Sequence, residues 1–397
     1  MKPWELPFAT PSLEGTGGVV REDLEDFLVE ELPLYEPSGS GEHVYLKLEK
    51  RGLSTFEAVR RITRALGLSE RVAGYAGLKD ARAVTIQTVS LSGVDPEHVL
   101  GLDLRGIRVL EVNRHRNKLK KGHLRGNRFR IRIRDVAPGS ADRADRILEQ
   151  LQRNGVPNGF GPQRFGLFGN SHLLGRALLQ HDGRSFYREL LEGGGQAPGR
   201  AACASLLSGD ARRALSQLPP GQALERRAVE QVMRCDGSLD LACQHIDRSL
   251  RTLYLAAAQA ELFNAVLRRR FDDYNRLLQG DLAWLHRNGA VYLVLDLEAE
   301  ERRCARFEVS PSGPLFGRRT TAPAGQPLMI ENKVLERCGL DARLFRDGMP
   351  LQGARRPLRV PVESEPSLTD SDGSLWVSFS LPKGAYATLV LREVMKT

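Results

Sequence analysis

The chain has 397 residues, 41% of them apolar, and its 58 Lys and Arg against 49 Asp and Glu give a net charge of +9. That length suggests two to three domains, and the ordinary apolar and charged fractions exclude wholesale disorder. No apolar run approaches the ~18 residues of a membrane span, and the opening MKPWELPFATPSLEG lacks the basic start and apolar stretch of a signal peptide.

Residues 43–49 alternate, with Val44, Leu46 and Leu48 against Tyr45, Lys47 and Glu49, which predicts a strand with one buried face. Ser54, three residues before Glu57, reads as a capping box opening a helix with Ala58, Ile62, Ala65 and Leu66 on one side, closed at Gly67. Ala83 to Leu91 is rich in Val, Ile and Thr and predicts a second strand. Phe129, Ile131 and Ile133 alternate with Arg128, Arg130, Arg132 and Arg134, a strand with one apolar and one basic face. Ser140 is the expected cap of a helix ending near Asn154 and Gly155. Helical patterns dominate from about Ser171 to Arg270, broken by the loop at 193–199, and Ala256 to Arg270 is the clearest of them. A short strand is expected at Val291 to Leu295. Leu375, Val377 and Phe379 alternate as a strand, and Ala387 to Leu391 reads as another. The stretches 311–326 and 366–374 read as turn-rich. Strand-rich ends around a helical middle point to one sheet domain, α+β or α/β, interrupted by an inserted domain, a pattern that two tandem domains plus a C-terminal module would share.

Several chemistries lack their signatures. There is no GxxxxGK[ST], no HExxH and no HxE paired with CxxC. Gly39 and Gly41 precede a strand, so they make no dinucleotide fingerprint. The five cysteines, Cys203, Cys235, Cys243, Cys304 and Cys338, are odd in number and contain no CxxC. They read as reduced thiols of a cytoplasmic protein. An enzyme built from this chain is expected to use side chains alone, with no metal or nucleotide cofactor.

Charge is concentrated in one place. Arg114 to Arg134 holds ten Lys and Arg and no acid. Such a run is either a solvated face or the contact surface of a polyanion, and its density favours a nucleic acid. Within it, Asn127 can hydrogen-bond a base edge and Phe129 can stack on a base. Phe129 also falls on the apolar face of its strand and can equally be core. Upstream, Asp80 stands between Lys79 and Arg82, just before a strand. Neighbouring cations favour an ionised carboxylate, which can serve as nucleophile or general base or simply stand in a turn with surface ion pairs.

Six blocks together resemble the TruD family of tRNA pseudouridine synthases. Glu25-Asp26-Phe27-Leu28-Val29-Glu30 resembles its EDFxVxE segment. Ala76-Gly77-Leu78-Lys79-Asp80 with Ala83-Val84-Thr85 resembles its catalytic motif, and Gly126-Asn127-Arg128-Phe129 its NRF motif. Residues 157–166 (PNGFGPQRFG), 313–317 (GPLFG) and 381–388 (LPKGAYAT) match three further segments in order. The resemblance implies a pseudouridine synthase catalytic domain with a mixed, largely antiparallel sheet and flanking helices. Its parts would be 1–157 and 319–397, interrupted by a family insertion at 158–318. It implies isomerisation of a tRNA uridine, at position 13 in the D-arm, without a cofactor. Asp80 becomes the catalytic aspartate, and Phe27, Asn127, Phe129 and Tyr386 match positions that contact the uridine. Lys79, Arg82 and Glu25 are supporting candidates, and Arg128, Arg130, Arg132 and Arg134 are the expected RNA-binding face. Arg21 stands where the family has Lys, and Leu24 where it has Pro, so Arg21 receives no catalytic role. The expected partner is tRNA and the expected state a monomer. The alternatives are a noncatalytic RNA-binding or RNA-folding protein on the same scaffold, and an RNA methyltransferase, for which no cofactor site is visible.

Overall fold

The computed structural model describes residues 2–20, 22–345 and 351–397, so Arg21 lies outside the described residues. The chain divides into two compact units, one formed by Phe8–Val156 and Val360–Thr397, the other by Met1–Pro7 and Pro157–Arg359.

The first unit is α+β. Its strands are β1 (Phe27–Pro33), β2 (His43–Arg51), β3 (Gly74–Tyr75), β4 (Val84–Ser92), β5 (Ile107–His115), β6 (Leu124–Arg134), β7 (Glu363–Thr369) and β8 (Leu375–Pro382). They form one sheet in the order β7-β8-β6-β1-β4-β2-β5, with β3 beside β4 and the short strand Val19–Val20 beside β6. Every pairing is antiparallel except β1 with β4. One face carries the alternating apolar residues and is covered by helices at its two ends. Helix α1 (Thr55–Ala65) lays Ala58, Val59 and Ile62 on Val44, Leu46, Leu48, Val89 and Leu91. Helices α2 (Ser140–Asn154) and α3 (Ala387–Met395) lay Ile147, Leu148, Val390 and Val394 on Phe129, Ile131, Val377 and Phe379.

Three local expectations change. Ser54 caps α1 by accepting from the Glu57 amide at 3.1 Å, but the Glu57 carboxylate turns to Arg60 and Arg61 instead of closing the box. Gly139, in the left-handed region at φ 72°, is the cap of α2, and Ser140 is already its first helical residue. Ala387–Leu391 is not a strand but the first half of α3. A short apolar run does not by itself distinguish the two. Here burial continues through Val394 and Met395 at helical spacing.

The second unit is mostly helical. Helix Arg248–Arg269 runs through its core beside Ser171–Gln180, and a four-stranded sheet contains Leu282–Leu285 and Val309–Leu315. The catalytic part was expected to resume at 319. By compactness, residues up to Arg359 stay with the helical unit. The physical reason is helix Gly325–Arg337, whose Val334 and Leu335 share a core with Leu174 and Leu262. Among the described residues no helix is long and apolar enough to cross a membrane.

Candidate functional site

The helix-covered face of the sheet is apolar at both ends and polar in the middle. Reading across it at one level, β6 offers Asn127, β1 offers Glu31, β4 offers Thr85 and Gln87, and β2 offers Lys50, with Asn127 opposite Glu31 in register and Lys50 opposite Thr85. Burying so many polar groups costs free energy unless they find partners. The loop from Ala76 to Ala83, which joins β3 to β4, supplies several. Lys79 places its ammonium 2.9 Å from the Glu31 carboxylate, both side chains almost fully buried. The Lys79 amide donates to Thr55 Oγ1 at 2.9 Å, and Thr55 Oγ1 donates to Gln87 Oε1 at 3.0 Å. Among the described residues, Thr85 Oγ1, Gln87 Nε2 and Asn127 Oδ1 are buried and find no hydrogen-bond partner. Buried polar atoms are seldom left so, and three in one belt mark a place where a polar ligand can bind.

Asp80 lies on this loop, exposed, on the same face of the sheet. Its backbone carbonyl accepts from Lys50 Nζ at 2.9 Å, and the same ammonium donates to the Leu53 carbonyl. Lys50 itself is fully buried. Burial pulls its ammonium down to about 8, the Asp80 charge resists that shift, and Lys79 reinforces it. Lys50 is thus one cation electrostatically coupled to Asp80, while Lys79 is committed to Glu31. Arg82 is exposed farther along the loop, and Glu25 pairs with Arg51 at 3.2 Å.

Phe27 and Phe129 sit on neighbouring strands, their rings edge to face at 6.3 Å, and Phe129 also meets Phe379 at 5.4 Å. Both belong to the apolar core, at 3% and 7% exposure, so Phe129 does serve as core. Tyr386 precedes α3 and packs, half-buried, against the same cluster. Gly126, next to Asn127, allows a close approach of β8, since a Cβ there would lie 2.2 Å from the Leu381 carbonyl oxygen. Phe27, Asn127, Phe129 and the Asp80 loop thus share one face of the sheet.

The arginine row does not share it. Alternation along β6 directs Arg128, Arg130, Arg132 and Arg134 to the opposite face. Arg134 holds the buried Asp26 through both its Nε and Nη2 and also reaches Asp23. Burial works to raise the Asp26 carboxyl, but the Arg134 hydrogen bonds help bring the net shift below the ordinary value. Arg132 pairs with Asp370 and Asp372, Arg128 approaches Glu30 at 3.9 Å, and Arg130 lies over the Trp376 ring at 4.7 Å. Three of the four charges are compensated inside the molecule.

Lys50 and Glu31, like Thr55 and Gln87, escaped the sequence reading. Lys50 had a legible signal, because extending the Val44, Leu46, Leu48 alternation by one step places it on the buried face. Glu31 had a weaker one, its alternation with Phe27 and Val29.

A family model described as tRNA pseudouridine synthase D (TruD) matches residues 6–394. The chain is 48% identical over 394 residues to the tRNA pseudouridine synthase D of Geobacter sulfurreducens, covering 98% of this chain and 96% of that protein. It is 37% identical over 398 residues to a tRNA pseudouridine synthase D of Thermus thermophilus, covering 100% and 93%. Its fold matches a crystal structure of the TruD protein of Methanosarcina mazei with a TM-score of 0.85 at 26% identity, covering 100% of this chain and 97% of that one.

Proposed function

The chain belongs to the TruD family of tRNA pseudouridine synthases, and from that premise we propose that it isomerises uridine 13 in the D-arm of tRNA, with Asp80 as the catalytic carboxylate. The reaction breaks the N1–C1′ bond, turns the uracil and rejoins it through C5, so atoms balance with no cofactor. Asp80 acts either as nucleophile on the ribose or as the base that removes the C2′ proton. The uridine must first leave its stack, at a cost of a few kcal/mol.

The observation that carries this reading is the anchorage of Asp80. Its main chain is fixed by a buried ammonium on the sheet face that also holds Phe27, Asn127 and Phe129. Fixed geometry is worth several kcal/mol of barrier, because the reacting group does not have to be ordered during the reaction. The unpartnered Asn127 Oδ1 and Gln87 Nε2 offer an acceptor and a donor. A detached uracil carries the complementary N3–H and carbonyl groups, and the Phe27–Phe129 wall supports water exclusion. The five free cysteines fit a cytoplasmic protein.

Asp80→Asn tests the proposal. The amide keeps size but loses basicity and nucleophilicity. Pseudouridine formation, read as nucleoside composition of tRNA incubated with purified protein, should fall by more than about a hundredfold, within the range ascribed to acid–base groups. tRNA affinity should hold or rise slightly, since a negative charge leaves a surface that meets phosphates. Retained turnover would favour a noncatalytic role for Asp80, and retained binding by a wild-type protein without turnover would favour the RNA-binding reading.

A further inference from the structure

The other face of the same sheet holds a second cluster of aromatic and cationic groups. His43 and His115 lie opposite each other on β2 and β5, Tyr35 follows β1, and His123 precedes β6. A cleft of about 690 Å³ is lined by these residues with Glu36, Lys118 and Lys120, which is ample for one nucleotide. Its wall is a stack: the Tyr35 and His115 rings lie 5.1 Å apart at 19°, and Tyr45 meets His115 at 4.8 Å. The stack is pinned. Tyr35 Oη shares a 2.8 Å hydrogen bond with His123 Nδ1, the Ser38 amide donates to His115 Nδ1 at 3.1 Å, and Tyr45 Oη donates to the Asn117 carbonyl at 2.9 Å. Among the described residues no three potential metal ligands gather, so the histidines do not form a metal centre.

The cations beside this wall differ from the arginine row. Among the described residues, no carboxylate lies within 4 Å of Arg114, Arg116, Lys118, Lys120, Lys121 or Arg125. Their loop also touches the loop that bears Asp80. The Gly122 amide donates to the Ala76 carbonyl at 2.8 Å, and Lys121 lies over the Tyr75 ring at 5.9 Å. An adjoining cleft that shares Tyr35 and His123 leads on to Glu31, the partner of Lys79.

We propose that this pocket is a nucleotide subsite for the RNA substrate. It takes one unstacked base of the RNA against the Tyr35–His115 rings, with the adjoining phosphates along Arg116, Lys120 and Lys121. Flat rings interleaved with uncompensated cations are the chemistry of single-stranded nucleic acid binding. A rigid duplex would use the charge but leave the rings idle. The inference rests on the functional reading above only in identifying the RNA as substrate.

The test compares wild type with Tyr35→Ala, His115→Ala and Tyr35→Phe. Kd is measured for a tRNA transcript and for an oligouridylate by fluorescence anisotropy, kcat and KM for pseudouridine formation, and Tm for folding. The alanine variants should weaken Kd and raise KM by about five- to a hundredfold, the range that base–aromatic stacking spans, with kcat at saturation unchanged. Tyr35→Phe keeps the ring and should stay near wild type. Alanine variants that melt like the wild type and bind both RNAs with wild-type Kd overturn the proposal. Should they not fold, photocrosslinking of 4-thiouridine tRNA to the wild-type protein decides: adducts on peptides spanning 35–43 or 115–123 support the subsite, and adducts confined elsewhere overturn it. A wild type that makes no pseudouridine would sink the functional reading, while the Kd comparison would still decide the pocket.

Discussion

Lys50 is the residue on which the proposed catalytic geometry depends most after Asp80. Its ammonium joins the Leu53 and Asp80 carbonyls. Lys50→Met removes both bonds while keeping the length of the side chain. Turnover should fall about ten- to a hundredfold, the cost of misplacing a reacting group by about an ångström, with KM for tRNA changed far less. Stability against pH separates this from general damage. In the unfolded chain the lysine keeps its ordinary value near ~10.4, whereas in the folded protein it is about 8. Between those values the unfolded state binds the extra proton, so wild-type stability rises with pH relative to Lys50→Met, by up to about 1.4 kcal/mol per pH unit. Urea titrations at pH 7.5, 8.5 and 9.5 check it, and a constant difference would mean that Lys50 has an ordinary affinity for its proton. Asp80 was legible in the sequence through its motif. The ammonium that fixes it stands one step past Glu49, where a lysine reads as the end of an apolar face.

Strand β6 shows how far pattern alone reaches at the scale of an element. Its two faces were readable from the alternation of Phe129, Ile131 and Ile133 with arginines. The partners of those arginines were not, because they are remote in the chain: Asp26 lies 108 residues from Arg134 and Asp370 lies 238 from Arg132. A run of charge looks uncompensated until the fold brings its counterions to it. The same limit hid β7 and the strand Val309–Leu315, whose Pro, Ser and Gly residues read as turns. The loop before β6 is the part of the basic segment whose charge stays open. Salt dependence should therefore reside there. The triple variant Lys120→Gln, Lys121→Gln, Arg125→Gln should flatten the log–log dependence of tRNA affinity on salt by about two to three units, at about 0.9 per phosphate contact on a duplex. Arg132→Gln with Arg134→Gln should change it by less than about one unit on the same scale. The opposite ranking would place the phosphates along the arginine row instead.

At the scale of the whole molecule the sequence reads as an interrupted α+β domain, and the compact sheet unit breaks off at Val156 and resumes at Val360. Helix Gly325–Arg337 follows residue 319 in sequence yet buries its side chains in the helical core, and the compact helical unit runs on to Arg359. Val156 and Val360, the two ends where the interruption begins and finishes, lie in one apolar cluster. A chain of 8–156 joined by a short Gly-Ser linker to 360–397 should therefore fold cooperatively, read as a single thermal transition by circular dichroism. A broad, non-cooperative melt would show that the sheet unit needs the interrupting residues. The same arrangement has a consequence for the order of events at the ribosome. Strand β6 is paired by β1 as soon as it emerges, but its other edge is the seat of β8, from Leu375 against Ile133 to Pro382 against Gly126. Roughly 240 residues separate the two strands, which at ~5–20 residues per second is ~10–50 s of synthesis. Through that interval a long strand with Phe129, Ile131 and Ile133 on one side waits with an open edge, the usual template for pairing between nascent chains. Until Trp376, Asp370 and Asp372 arrive, Arg130 and Arg132 on its other side give that edge charges that repel a second copy of itself.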